Sequence, residues 1–309
     1  MNNQVLPIKE FATLRHKIWL RKTYGYSLDL EESAVLDQHH YTNIWRELDR
    51  NSIYLFNEIQ GWAVADHFEY TFAQTVADTI RFRLFNKIET SQAMLQEFDT
   101  LENAFANPIR LYGFLSNRKA NFTGAYVRCP DLSQLCHATS NKDLIPAAEA
   151  ISRAIVLERD ARKAWQLLRS IFSIGDFLAD QLLMDLVWVG SALDAANNSV
   201  SNWFSPAMGP GAKAGLKYCE DTDQGNLKSL QSELSDAFDF LPMPMLFENT
   251  TRLKFDDRAL EHTLCEYFKH VKFQNRGNSK VKMRTYKPAT DYKVARLPFT
   301  WSDPQEVLL

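Results

Sequence analysis

Residues 165–190 read WQLLRSIFSIGDFLADQLLMDLVWVG, and this stretch decides the fold. Leu167, Leu168 and Ile171 form one apolar face, Ser173-Ile174-Gly175 interrupts it, and Asp176 stands where it can cap a second helix. The spacing predicts helix, tight hairpin, helix. A hairpin that passes through small residues into a helix leaves several backbone N–H groups free to hold a phosphate. Ser173, Ile174 and Gly175 are therefore candidate phosphate-contacting residues. The second helix continues from Gln181 to Trp188, apolar almost all round, with Asp185 as its one carboxylate. A lone Asp in such a run is either a structural hydrogen-bonder or a catalytic group.

Outward from this element the helical period dominates. Phe11, Leu14, Ile18 and Trp19 line one side of an opening helix whose other side carries Arg15, Lys17, Arg21 and Lys22. Further helices are expected over 41–59, 68–86, 92–105, 109–117, 143–158, 227–240 and 256–273. Only FTGAYVR, 122–128, hints at a strand, and 195–211 reads mostly as loop. The expected class is all-α, with one helical domain over 1–273 and a basic extension over 274–309.

The 309 residues carry a net charge of −3, which argues against a protein that coats nucleic acid. The charge is segregated, however: residues 269–296 hold nine Lys or Arg against Asp291, so that tract is +8 and the remainder −11. Such a tract is a local anion-attracting surface or a solvated tail, and it includes Lys272 and Arg276 as candidate phosphate contacts. No apolar run reaches membrane-spanning length, and MNNQVLPIKE lacks the features of a signal peptide, so a cytoplasmic protein without membrane contact is expected. Cys129, Cys136, Cys219 and Cys265 contain no CxxC spacing and read as reduced thiols, and Cys129, Cys136 and His137 fit no common zinc finger.

Four polar clusters interrupt the apolar pattern. Asn43, Arg46, Asp49 and Arg50 recur at three- and four-residue spacing, on one face of the expected 41–59 helix. Arg81, Arg83, Asn86 and Lys87 thread between Phe82, Leu84 and Phe85. Asp185 is the third: flanked by Leu and Trp, its pKa would rise unless a partner keeps it ionised. Asp194, in ALDAANN, is its rival as the essential carboxylate. The fourth combines Met208–Leu216, MGPGAKAGL, with Leu260–Phe273, LEHTLCEYFKHVKF. In the former, Gly209, Gly211 and Lys213 form a turn suited to phosphate, although GxxxxGK[ST] occurs nowhere. In the latter, His262, Glu266 and His270 form a stripe with Lys269 near Glu266, for which a surface ion pair is the ordinary reading.

RHKIWLRKTYG, YTNIWRELDRNSIYL, FRLFNKIET, IFSIGDFLADQLLMDL, GPGAKAGL and LCEYFKHVKF occur in that order. Together they resemble the helical family of alpha-glutamyl/putrescinyl thymine pyrophosphorylases and of the helical domain in hydroxymethyluracil DNA kinases, regarded as related to helix-hairpin-helix DNA glycosylases. The resemblance spans about 11–273. It implies an all-helical glycosylase-like fold and a modified pyrimidine in DNA, of phage type, as substrate. Carried over by position, the motif residues of the first half are Asn43, Arg46, Asp49, Arg50, Arg83, Asn86 and Lys87. Those of the second half are Asp185, Gly209, Gly211, Glu266 and Lys269. No kinase half is evident, so phosphorylation is not expected of this chain.

The leading expectation is a DNA glycosylase, a hydrolase that flips out a hydroxymethyl-derived or glucosylated pyrimidine and cuts its N-glycosidic bond, in defence against phages. Asp185 or Asp194 would serve the developing sugar cation or the attacking water, with Asp49 and Glu266 as further candidate catalytic carboxylates. This chemistry needs neither metal nor organic cofactor. Tyr41, Trp45 and Trp188 would stack on the base, and Arg46, Arg50, Arg83, Asn43, Asn86, Lys87 and Lys269 would bind the substrate. The alternative is a transferase that replaces the pyrophosphate of an activated hydroxymethyluracil in DNA with an amine or amino acid, using Lys213 and Lys269 for the leaving group and Glu266 or Asp49 as base. A non-catalytic reader of modified DNA is the third.

Overall fold

A computed structural model describes residues 5–24, 36–37, 39, 41–59, 68–123, 131–190, 208–219, 227–238, 245–246, 251–252 and 255–276. The first elements are α1 (Ile8–Tyr24), a 3-10 turn (Arg46–Leu48), α2 (Arg50–Tyr54), a π turn (Leu55–Ile59), α3 (Phe68–Phe85), α4 (Ile88–Phe98), α5 (Leu101–Ala106) and α6 (Pro108–Ser116). There follow α7 (Leu132–Ala138), α8 (Asn141–Val156), α9 (Ala161–Arg169), α10 (Asp176–Gly190), α11 (Pro210–Leu216), α12 (Leu227–Phe238), strands β1 (Met245–Leu246) and β2 (Thr251–Arg252), and α13 (Asp257–Arg276). The two short strands pair antiparallel, Met245 with Arg252. The class is all-α, as expected. The expected strand over 122–128 lies mostly outside the described residues; Phe122 and Thr123 are not in a strand.

The chain forms two compact units, one of Met1–Asp49 with Phe204–Leu309, the other of Arg50–Trp203. In the first, α1 packs on α12 and α13, and α11 lies along α13. That contact needs glycine: a Cβ on Gly215 would stand 2.0 Å from the Leu264 carbonyl oxygen, and one on Gly211 would stand 2.6 Å from the Cys265 sulfur. In the second, α3 and α8 form the centre, with Phe72, Val76 and Ile80 facing the same core as Leu144, Ala148 and Ile151. Burial of this kind removes about 1.5–3 kcal/mol of unfavourable exposure for each large side chain.

Side chains that bond the backbone set the helix boundaries. Thr100 and Asn107 accept from amides at the starts of α5 and α6, and Asp131, Ser140 and Asp160 do the same for α7, α8 and α9. The continuous 92–105 helix expected from periodicity is therefore broken: Asp99 adopts φ 68° and Thr100 caps a new helix. The 41–59 helix is also corrected. Tyr41–Trp45 is non-helical, and Asp49 takes hydrogen bonds from the Asn43 N–H at 3.0 Å and Asn43 Nδ2 at 3.2 Å, closing a turn in place of a helical one. Asn43, Arg46 and Asp49 thus share this turn, not a helical face.

The 165–190 stretch forms the expected helix pair. Its left-handed residue is Ser173, φ 69°, and not Gly175. Asp176 is the first residue of α10 and forms an ion pair with Arg169 of α9, so it braces the hairpin from inside the helix instead of capping it.

Candidate functional site

Within the first unit, polar side chains gather around Glu266 on α13. Glu266 is 3% exposed; Oε2 accepts from the Thr42 N–H at 3.0 Å and Oε1 from Lys269 Nζ at 2.5 Å. The Lys269 side chain is 45% exposed, so it links a buried carboxylate to solvent. The surface ion pair expected from spacing is therefore half wrong: the cation is at the surface and the anion is not. Its neighbours His262 and His270 are buried too.

Arg15 holds the segment that binds Glu266. It donates to the carbonyls of Tyr41 at 3.0 Å, Thr42 at 3.4 Å and Leu36 at 3.5 Å. Burial pulls its pKa down, and the negative charge of Glu266 opposes that shift most strongly. Placing Arg15 on a polar helix face was thus an error of pattern. Phe11, Arg15 and Ile18 are spaced four and three apart, a signal that puts the guanidinium on the buried side.

His262 is pushed down to about 4 by burial first and the Arg46 charge second, with Glu266 pulling the other way. It is neutral at neutral pH. Glu261, one residue earlier, accepts the Gly209 N–H at 3.1 Å, and burial raises its pKa. That amide of the glycine turn is thereby occupied, while Lys213 stands exposed on α11. Tyr41 is buried beneath Arg15, 5.2 Å from ring to guanidinium, and burial pushes its phenol up. Trp45 is 2% exposed, with ring centroids of Phe238 at 4.5 Å and His16 at 4.9 Å. Tyr41 and Trp45, two of the three aromatics expected to stack on a base, are core residues. Lys272 lies over the Phe268 ring at 5.9 Å, and Arg276 ends α13.

The second unit has its own polar centre. Arg83 donates from Nε and Nη2 to the two oxygens of Asp185 at 2.7 and 2.9 Å, from Nη2 to Ser52 Oγ at 2.8 Å and from Nη1 to Asn86 Oδ1 at 3.1 Å. Asp185 is therefore paired inside the fold, with both oxygens engaged by one guanidinium. Asn86 follows α3 with φ 46°, and its carbonyl accepts from Asn51 Nδ2 at 2.6 Å. Lys87 reaches the Ala120 carbonyl at 2.6 Å, and Arg50 meets Glu89 at 3.5 Å. Ile174 is buried in the hairpin while Ser173 and Gly175 reach its surface.

Asp194 and the Trp188 side chain fall outside the described residues. The remaining candidates divide. Asn43, Arg46, Asp49, Glu266 and Lys269 collect in the first unit with His262 of the expected stripe and with Arg15, Thr42 and Glu261, whose parts were not expected. Arg50, Arg83, Asn86, Lys87 and Asp185 belong to the second with Ser52. Chemically, the first cluster offers a buried carboxylate held between a backbone N–H and a half-exposed ammonium that leads to solvent. The second offers a saturated ion pair, suited to holding helices together. Among the described residues no helix is long and apolar enough to cross a membrane.

The profile of the family described as "5-hmdU DNA kinase, helical domain" matches residues 4–279. The match reaches past Phe273, into the basic tract. The chain is also 24% identical over 285 residues to the "5-hmdU DNA kinase" of Bacillus phage SP10, covering 84% of this chain and 43% of that protein. It therefore spans less than half the length of that relative. No solved structure matches. These matches overturn the leading expectation from sequence. They lead to a family of kinases, which are group-transfer enzymes, so the N-glycosidic hydrolase, its base-flipping excision step and its defensive role are withdrawn.

Proposed function

We propose that this chain, which belongs to the 5-hmdU DNA kinase helical-domain family, is the acceptor side of a transferase that modifies hydroxymethyluracil in DNA. The match over 4–279 is the observation that carries the reading. The buried Glu266 carboxylate gives it a chemical centre. In phosphoryl transfer, Glu266 takes the proton of the base's hydroxymethyl O–H as that oxygen bonds to phosphorus and the donor's leaving group departs with the former bond electrons. Lys269, partly exposed beside Glu266, shields the developing negative charge. Arg15 and the Thr42 N–H fix the carboxylate in place.

The pyrophosphate-displacing transferase uses the same carboxylate on a different nucleophile. There an amine attacks the methylene carbon, pyrophosphate leaves with the C–O electrons, and Glu266 takes the proton of the amine. Both reactions leave the base attached to its sugar, phosphorylation adding mass and displacement exchanging pyrophosphate for the lighter amine, which separates them from excision.

Mass spectrometry of digested nucleosides tests the reading. A hydroxymethyluracil duplex incubated with ATP, and its pyrophosphorylated form incubated with an amine, are compared before and after exposure to the protein. A nucleoside heavier by one phosphoryl group in the first reaction, or one whose pyrophosphate is exchanged for the amine in the second, is expected. Unchanged nucleosides in both would contradict the proposal.

A further inference from the structure

We infer that the second unit carries a track for the phosphate backbone of DNA, formed by Arg50, Lys87, Arg118 and Lys119 where residues 118–121 wrap the start of α4. The inference rests on the reading of DNA as substrate and adds a surface separate from the Glu266 cluster.

Three of the four cations are brought together by contacts in the same unit. Lys87 Nζ reaches the Ala120 carbonyl at 2.6 Å, Arg118 Nη2 the Glu89 carbonyl at 3.2 Å, and Arg50 Nη2 the Glu89 carboxylate at 3.5 Å. Lys119 lies within the wrapping segment and is exposed. Glu89 is the single acid in this group of five side chains, in a protein of net charge −3. Its pairing with Arg50 joins side chains 43% and 54% exposed, an arrangement too solvated to neutralise the patch firmly. Lys87 and Arg118 donate to neutral carbonyls, which leaves their charge uncompensated.

The segment bearing these cations is fixed in advance. Buried Asn121 donates to the Leu115 carbonyl at 2.8 Å and accepts the Thr90 hydroxyl at 2.9 Å through its own carbonyl. The Thr123 N–H bonds the Phe85 carbonyl at 3.3 Å. A rigid cationic strip binds a polyanion without a large ordering cost. The hairpin at Ser173–Gly175 lacks this imbalance, since Asp176 lies beside it paired to Arg169. Phosphate contacts of the 118–121 type position a duplex and do not read the base.

The test is the salt dependence of binding to two duplexes of one sequence, with hydroxymethyluracil or with thymine. The Lys87→Gln/Lys119→Gln double variant removes two contacts, and the slope of log affinity against log salt should fall by about 1.8 on both duplexes. Lys119→Glu alone, at an exposed position, should weaken both equally. Unchanged slope and affinity in both variants would overturn the track. A loss confined to the hydroxymethyluracil duplex would also overturn it, assigning these residues to the base. A wild-type protein that binds neither duplex would overturn both this inference and the DNA reading, whereas wild-type preference for the modified duplex with unaffected variants would overturn the track alone.

Discussion

Arg83 and Asp185 form a two-pronged pair, 2.7 Å from Nε and 2.9 Å from Nη2 to the two carboxylate oxygens, with side chains 1% and 4% exposed. The carboxylate singled out by its apolar surroundings is thus a staple between α3 and α10. Removing one partner strands the other charge in a dry interior, at a cost of about 3–5 kcal/mol, whereas replacing both with apolar residues leaves no orphan. Asp185→Ala should lower the urea midpoint by that equivalent, and Arg83→Met with Asp185→Leu should recover most of it. A stable Asp185→Ala would show that the pair does not hold the unit together.

Two glycines should respond in opposite directions. Gly215→Ala drives a Cβ to within 2.0 Å of the Leu264 carbonyl and should destabilise the α11–α13 contact by about 1–3 kcal/mol. Gly113 lies in α6, where an added Cβ would meet nothing within 4 Å, so Gly113→Ala should stabilise by up to about 1 kcal/mol through helix propensity. Thermal melts of the two variants that move together would contradict this reading of the helix contacts.

Acid should destabilise the fold through two histidines. His262 and His270 are both held down to about 4 by burial, against an ordinary 6.5. The unfolded chain therefore binds more protons between these values, and stability falls as pH drops from about 6.5 towards 4, by about 1.4 kcal/mol per pH unit for each histidine. Above 6.5 neither contributes a slope. Urea titrations at pH 7, 6, 5 and 4.5 check this, and a His262→Gln/His270→Phe variant should show a shallower decline. Equal declines would place the acid sensitivity elsewhere.

Arg15→Met should act through Glu266 without touching substrate. Loss of its bonds to the 41 and 42 carbonyls frees the Thr42 N–H from the carboxylate. Transfer activity should fall about tenfold or more while DNA affinity stays within about threefold. Loss of affinity with unchanged turnover of bound DNA would reverse the assignment.

The all-α class, the hairpin pair at 165–190 and α13 were legible because their apolar spacing repeats over several turns. The 41–59 segment was not. Its apolar residues keep a helical period, but the hydrogen bonds from Asn43 to Asp49 compete locally with a helix, and periodicity carries no trace of that competition. Glu266 and Lys269 were legible as a pair, though not the burial of Glu266, which depends on Thr42 more than two hundred residues away in sequence. Gly209 and Gly211 looked suited to phosphate; the packing of Gly211 against Cys265, and of Gly215 against Leu264, emerges only when α13 is in place. The family resemblance led to the matched helical-domain family, whereas the glycosylase chemistry read from it was overturned.

The central claim is that the Glu266 cluster receives the hydroxymethyl group of a pyrimidine in DNA. The most direct measurement is the affinity ratio between hydroxymethyluracil and thymine duplexes of one sequence, for the wild type and for Glu266→Gln. One hydrogen bond from the hydroxyl to a buried carboxylate is worth about 1.5–3 kcal/mol, so the wild type should prefer the modified duplex by about tenfold or more, and Glu266→Gln should lose most of that preference while retaining its affinity for the thymine duplex. Equal wild-type affinity for the two duplexes, or a preference untouched by Glu266→Gln, would contradict the account.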